Sequence, residues 1–134
     1  MKHPMTAKIY EDLYDAFDAC CLQYATSQAE LDQHNALPRP AWANSYPSFE
    51  SLVDDWNAVD KHRRARKKLA FMTKEAYEKR ERAAKKLGQY MPLNIWVRHG
   101  NHALRVEPCI QGGSKYQLVV GDADRKKPFL QVRF

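Results

Sequence analysis

The spacing of apolar residues changes once along this chain, after Met91-Pro92. Before that point, apolar residues recur every three or four positions, as on one face of a helix. After it, they alternate with polar residues, as in a strand with one buried face. Helices followed by strands predict an α+β domain. We therefore expect a single domain over residues 1–134, mainly helical over 6–87 and an antiparallel sheet over 93–134.

Capping residues predict where the helices begin. Thr6 and Ser48 each precede an apolar-periodic segment, and their hydroxyl oxygens can accept the first free backbone N–H groups. Ser27-Gln28-Ala29-Glu30 has the form of a capping box, which predicts a separate short second helix. Thr73 offers a further cap, which predicts a bend before a last helix over 74–87. The sequence therefore predicts three or four helices, packed on one face of the sheet.

The strand region predicts a four-stranded antiparallel meander. Gly100-Asn101 is typical of a two-residue hairpin loop, and this loop fixes the pairing of the strands around it. The predicted apolar pairs are Val97 with Leu104, Ile95 with Val106, and Leu93 with Pro108. On the other face, the predicted pairs are Trp96 with Arg105, Arg98 with Ala103, and Asn94 with Glu107. Residues 115–120 and 129–134 are predicted as the third and fourth strands, and Gly88 as the stop of the last helix.

The charge is distributed unevenly along the chain. Residues 1–60 contain 3 Lys/Arg against 10 Asp/Glu, whereas residues 61–90 contain 12 against 3, within a formal net charge of +6. Six of these cations fall in residues 61–68, the cationic segment, where the apolar stripe of the helix after Ser48 is replaced by charge. Burying such a segment is costly without anions opposite it. We expect it either to meet a polyanion or to pair with the chain's own acids in 11–18 and 54–60.

Clustered Lys and Arg are the residues that neutralise phosphate backbones. We therefore expect a small, basic, non-enzymatic protein that binds DNA or RNA through a cationic helix. Trp96 could stack on a base, or it could form a cross-strand cation–π pair with Arg105. The predicted binding residues are Lys61, Arg63, Arg64, Arg66, Lys67, Lys68, Arg82, Lys85, Lys86, Trp96, Arg98 and Arg105.

A second interpretation is a protein–protein adaptor or inhibitor encoded by a phage or mobile element. It would dock on a larger, possibly nucleic-acid-processing, partner through the acidic first helix, the basic segment or the Trp42–Tyr46 segment of the proline-rich stretch 36–48. That stretch carries Trp42 and Tyr46, which either pin it to the core or form a partner site.

No known catalytic motif is present in the sequence, so we do not expect an enzyme, a metal or a cofactor. His99 and His102 flank the hairpin loop and could approach each other, but no further ligand has supporting spacing. Asp122 and Asp124 are expected to form a polar turn.

Compartment is predicted from two features of the sequence. The three cysteines, Cys20, Cys21 and Cys109, have no disulfide-framework spacing, which predicts reduced thiols in the cytoplasm. No apolar run is long enough to cross a bilayer, and residues 1–5 lack the apolar stretch of a signal peptide. We therefore expect no membrane partner.

Overall fold

A computed structural model describes residues 4–124 and 127–134 of the chain. This part contains two helices, α1 (Ala7–Ala36) and α2 (Phe49–Gly88). Four strands follow: β1 (Val97–His99), β2 (His102–Gln111), β3 (Ser114–Asp122) and β4 (Pro128–Arg133). They form one antiparallel sheet in the order β1-β2-β3-β4. The predicted α+β class and four-stranded antiparallel sheet are confirmed.

The prediction of three or four helices is wrong, because two capping signals lie inside continuous helices. In α1, Gln28 bonds one turn in each direction: Tyr24 donates to its Oε1 (3.4 Å) and its Nε2 donates to Asp32 (3.0 Å). In α2, the hydroxyl of Thr73 donates back to the carbonyl of Leu69 at 2.8 Å, one turn earlier. Hydroxyl and amide side chains can bond within a helix as readily as cap one, so the local sequence does not separate the two cases.

The two predicted N-terminal caps are confirmed. The Ile9 N–H donates to Thr6 Oγ1 and the Ser51 N–H donates to Ser48 Oγ, each at 3.2 Å. Each bond satisfies one of the backbone donors that the first turn of a helix leaves free.

Backbone contacts divide the chain into two compact units. The sheet unit comprises the described residues up to Leu22 together with Tyr77–Phe134, and the helical unit comprises Gln23–Ala76. The sheet unit contains the hydrophobic core, in which helix residues pack on one face of the sheet. Its buried members are Phe17, Ala83, Ala84, Leu87, Leu104, Val106, Leu118, Val120 and Val132. The expectation of a single domain stays a prediction.

Gly88 ends α2 as predicted, and the structure gives a further reason for glycine there. A Cβ at this position would lie 2.5 Å from Cζ of Phe134, the last residue of the chain. Phe134 is held beside β3 by its backbone, since its N–H donates to the carbonyl of Tyr116 at 2.9 Å. Glycine therefore permits close approach of the Phe134 ring to the end of the helix.

The predicted hairpin register is confirmed near its loop and wrong farther away. Val97 pairs with Leu104 and Arg98 with Ala103, but Ile95 with Val106 and Leu93 with Pro108 do not pair as predicted. Asn94 has a φ of 61°, and its N–H donates to the carbonyl of Val106 at 2.7 Å. This left-handed residue, a conformation that asparagine tolerates, shortens β1 although the alternating pattern continues through it.

Candidate nucleic-acid interface

The cationic segment is a regular part of α2, and all six of its Lys and Arg residues are exposed. Lysine, arginine and alanine are good helix formers, so the segment can stay helical without a buried stripe. Because a helix distributes successive side chains around its axis, the six cations project in several directions. They are Lys61, Arg63, Arg64, Arg66, Lys67 and Lys68.

Asp60 is the carboxylate that offsets part of this charge. Its Oδ1 accepts a hydrogen bond from Arg63 Nη2 and its Oδ2 forms an ion pair with Arg64 Nε, each at 2.9 Å. Both guanidinium groups remain largely exposed, so each pair contributes less than about 1 kcal/mol to stability. In residues 4–124 and 127–134, no ion pair involves Lys61, Arg66, Lys67 or Lys68. The sequence predicted that the cationic segment could pair with acids in residues 54–60. In the described structure, Asp60 forms such pairs, with Arg63 and Arg64.

His62 lies inside the cationic segment but adds no cation to it. The His62 ring stacks on the ring of His34 in α1, with centroids 4.4 Å apart. His34 Nε2 also donates a hydrogen bond to the backbone carbonyl of His62 at 3.2 Å. Burial lowers the pKa of His62 below its ordinary value, and the positive charges near it, those of Arg39 and Arg66 among them, lower it further. The neutral ring is therefore a packing element that joins α1 and α2 within the helical unit.

The stretch 36–48 is both pinned and partly exposed. The hydroxyl of Tyr46 donates to Asp55 Oδ2 at 2.7 Å and accepts the N–H of Ala43 at 2.9 Å. The ring of Trp42 contacts Trp56 of α2 with centroids 5.7 Å apart, yet about half of each indole is exposed. Tyr46 thus pins the stretch to α2 by a hydrogen bond and not to the hydrophobic core, while the two tryptophans form a partly exposed aromatic surface.

The other predicted helix cations belong to the sheet unit. Arg82, Lys85 and Lys86 are exposed on α2. Arg82 and Lys86 line a shallow cavity of about 220 Å³, together with Cys20. Lys85 lines a different cavity, of about 580 Å³, beside Gly88.

The predicted cation–π pair between Trp96 and Arg105 is present. The Arg105 guanidinium lies 5.8 Å from the centroid of the Trp96 ring. Its Nη2 donates to Asn94 at 3.3 Å, and its Nε lies 3.5 Å from a carboxylate oxygen of Glu107. Arg98 donates to the carbonyl of Gly100 at 3.4 Å. Arg98 and Arg105 therefore already have partners within the sheet unit, and their contact with nucleic acid stays a prediction.

His99 and His102 pair across the hairpin, but a tyrosine occupies the position next to them. The Tyr14 hydroxyl lies 2.8 Å from His102 Nδ1, and the Tyr14 ring lies 4.6 Å from that of His99. Burial raises the pKa of Tyr14, which keeps its hydroxyl protonated. Sequence reasoning missed Tyr14 because only its neighbours Leu13 and Phe17 follow the apolar spacing. In the described ranges, no cluster of three His, Cys, Asp or Glu residues could hold a metal ion.

The remaining predictions concern a polar turn, the cysteines and membrane-spanning segments. Asp124 donates its N–H to Asp122 Oδ1 at 2.8 Å, which forms the predicted polar turn. Cys20, Cys21 and Cys109 are free thiols, and burial raises the pKa of Cys21 to about 11. Within the described chain, neither helix combines the length and apolar character that a membrane span needs.

These observations leave two surfaces on which a partner could act, the cationic segment and the Trp42–Trp56 aromatic surface, both within the helical unit. The first offers cations to phosphate oxygens and the second offers aromatic rings to apolar groups. No family model, curated protein or solved structure matches this chain.

Proposed function

We propose that this protein is a small, non-enzymatic protein that binds the phosphate backbone of DNA or RNA through the cationic segment. The observation that supports this proposal is the exposure of six cations on one helical stretch, whose ion pairs within the described residues involve one carboxylate, that of Asp60. Binding would release the counterions condensed on the nucleic acid, which is the main source of affinity for such surfaces.

The dimensions of the segment fit this role. Eight helical residues span about 12 Å, and duplex DNA carries about seven phosphates over that length of its axis. The segment lacks asparagine and glutamine, which read adenine through paired hydrogen bonds. We therefore infer contact mainly with the backbone, with any discrimination between bases left to the arginines, which bind guanine.

The other predicted residues would form a secondary contact. Arg82, Lys85 and Lys86 are exposed and so available to phosphate, whereas Trp96 and Arg105 would first exchange their contact with each other. We propose a cytoplasmic location and binding without a cofactor or a membrane.

Neutralising the segment tests the proposal. A variant with Arg64, Arg66, Lys67 and Lys68 changed to Gln keeps helix-forming residues and leaves Asp60 paired with Arg63. We expect its affinity for a labelled oligonucleotide to fall at least about 100-fold, because roughly four phosphate contacts are lost. The matched control changes Lys8, Lys115, Lys127 and Arg133 to Gln, which removes the same charge from other exposed positions. An equal loss in the control would contradict a role for the segment itself.

The second candidate is an adaptor or inhibitor of phage or mobile-element origin that docks on a larger protein. The exposed Trp42–Trp56 aromatic surface favours it. A pull-down with and without nuclease treatment separates the two candidates. A protein retained after nuclease treatment, and lost from the Trp42→Ala variant, would support the adaptor if the parent also lacks affinity for nucleic acid.

A further inference from the structure

One face of α2 carries eight residues at alternating spacings of four and three. This spacing keeps side chains on one side of a helix. The face is rotated by about 120° from the side of α2 that carries His62 and Thr73, the residues that bond α1 in the helical unit. We call it the outer stripe, and its members are Phe49, Val53, Trp56, Asp60, Arg63, Lys67, Ala70 and Lys74.

The first half of the outer stripe is apolar up to Trp56, ends in Asp60, and lies in an acidic part of the sequence. Phe49, Val53 and Trp56 are 86%, 51% and 56% exposed. Residues 40–60 contain four acids, Glu50, Asp54, Asp55 and Asp60, and no Lys or Arg. Large exposed apolar side chains in a row are typical of an interaction surface.

The second half has the opposite charge. Residues 61–74 contain seven Lys or Arg residues and no acid. The outer stripe therefore presents an aromatic half that ends in Asp60 and a cationic half that contains Arg63, Lys67 and Lys74, and these two halves are complementary to each other. One copy of α2 cannot bring these halves together, because a continuous helix holds them apart.

We propose that the outer stripe docks on the outer stripe of a second copy of this chain, with the two α2 helices antiparallel about a two-fold axis between residues 61 and 62. This register places Asp60 opposite Arg63 of the second copy, Trp56 opposite Lys67, and Val53 opposite Ala70. Each contact occurs twice, as a two-fold interface requires. A parallel arrangement would instead place Asp60 against Asp60 and the cations of the stripe against one another.

The chemistry of these pairs favours a second copy as the occupant. The Asp60–Arg63 pairs join opposite charges, and the Lys67 ammonium lies over an indole, the best aromatic partner for a cation. Lys61, Arg66 and Lys68 project away from the outer stripe by helical geometry. The dimer therefore leaves these cations available, so that it can form whether or not the protein binds nucleic acid.

Charge exchange at the centre of the stripe tests this inference. Sedimentation equilibrium measures the dissociation constant of the dimer, which we expect to be below about 100 µM for the parent. The single variants Asp60→Arg and Arg63→Asp should each raise it at least about tenfold. The double variant Asp60→Arg/Arg63→Asp restores opposite charges between positions 60 and 63, both across the interface and within the helix, and removes the Asp60–Arg64 pair. It should return the dimerisation constant to within about threefold of the parent. Far-UV circular dichroism establishes that each variant stays helical.

Two further variants make the test specific. Trp56→Ala should weaken dimerisation at least about tenfold, because a central tryptophan commonly dominates an interface. Lys61→Glu is the matched control: it reverses a charge in the same segment but off the stripe, and it should leave dimerisation within about threefold while lowering affinity for an oligonucleotide. A parent that stays monomeric up to about 500 µM, or a double variant no better than its single components, would overturn the inference. Neither result would bear on nucleic-acid binding, which the oligonucleotide titration measures separately.

Discussion

The sheet unit and the helical unit are stabilised in different ways. In the sheet unit, Phe17, Val106, Leu118 and Val132 are each at most 2% exposed and form one core. In the helical unit, the buried residues among those described are Thr73 and Ala76, and its larger aromatic side chains are partly exposed. The sheet unit thus depends on apolar burial, whereas the helical unit depends on helix propensity and a few polar contacts.

This difference explains where the candidate surfaces lie. A side chain that builds a core is unavailable to a partner, and among the described residues the large apolar side chains that are fully buried lie in the sheet unit. The helical unit commits few residues to packing, so its cations and tryptophans remain exposed. We therefore expect substitutions in the sheet unit to change stability, and substitutions on the outer surface of the helical unit to change binding.

Truncation of the core should have the largest effect. Leu118→Ala removes a fully buried side chain, and we expect it to lower the free energy of unfolding by about 3 kcal/mol. The matched truncation in the helical unit, Leu37→Ala, should lower the free energy of unfolding by less than about 0.5 kcal/mol because the Leu37 side chain is 56% exposed and lies off the outer stripe. Urea unfolding followed by circular dichroism measures both values. Similar losses for the two variants would remove the distinction between the units.

Gly88→Ala should have the next largest effect. We expect it to lower the free energy of unfolding by about 1–2 kcal/mol, because the added methyl group overlaps the Phe134 ring. In an unobstructed helix the same change would stabilise by up to about 1 kcal/mol. A thermodynamic cycle with Phe134→Leu checks the cause. If the loss caused by Gly88→Ala is unchanged in the Phe134→Leu background, the overlap is not its source.

The helical unit should respond to loss of a polar contact. Thr73 Oγ1 lies 2.8 Å from the carbonyl of Leu69 in α2 and 3.2 Å from that of Ser27 in α1. Thr73→Val keeps the shape of the side chain but removes its hydroxyl donor, and we expect the free energy of unfolding to fall by about 1 kcal/mol. Hydrogen exchange should then become about fivefold faster for α1 and α2 amides within the helical unit. Ser45→Ala, in the exposed stretch between the helices, should leave these rates unchanged.

The smallest expected effect is the change in stability with pH that His62 causes in the helical unit. The folded pKa of His62 is lowered, so the unfolded chain binds a proton more readily than the folded chain does. The stability that His62 contributes is therefore present above the unfolded pKa of about 6.5 and decreases as the pH falls below it. Urea unfolding at pH 7.5 and pH 5.5 should show a smaller decrease for His62→Gln than for the parent. An equal decrease in both would contradict a neutral, packed His62.

The sequence predicted most of the fold and the composition of the candidate site. Alternation of apolar residues and the Gly100-Asn101 loop predicted the sheet, because both are local features. The helix count was wrong because Ser27 and Thr73 can either cap a helix or bond within it, and long-range contacts decide between these uses. The left-handed conformation of Asn94 escaped detection for the same reason. Charge alone located the cationic segment but left open whether the chain's own acids cover it, and the cation–π pair of Trp96 with Arg105 was one of two possibilities that the sequence offered. The exposure of the segment and the stacking of His62 on His34 needed the three-dimensional arrangement.

The salt dependence of nucleic-acid affinity tests the central claim most directly. The parent protein is titrated with a labelled oligonucleotide at several salt concentrations between about 50 and 200 mM. If the cationic segment engages about five phosphates, the logarithm of the association constant should fall with the logarithm of salt concentration at a slope of about −4 to −5. A slope near zero, or the absence of binding at the lowest salt concentration, would contradict the account.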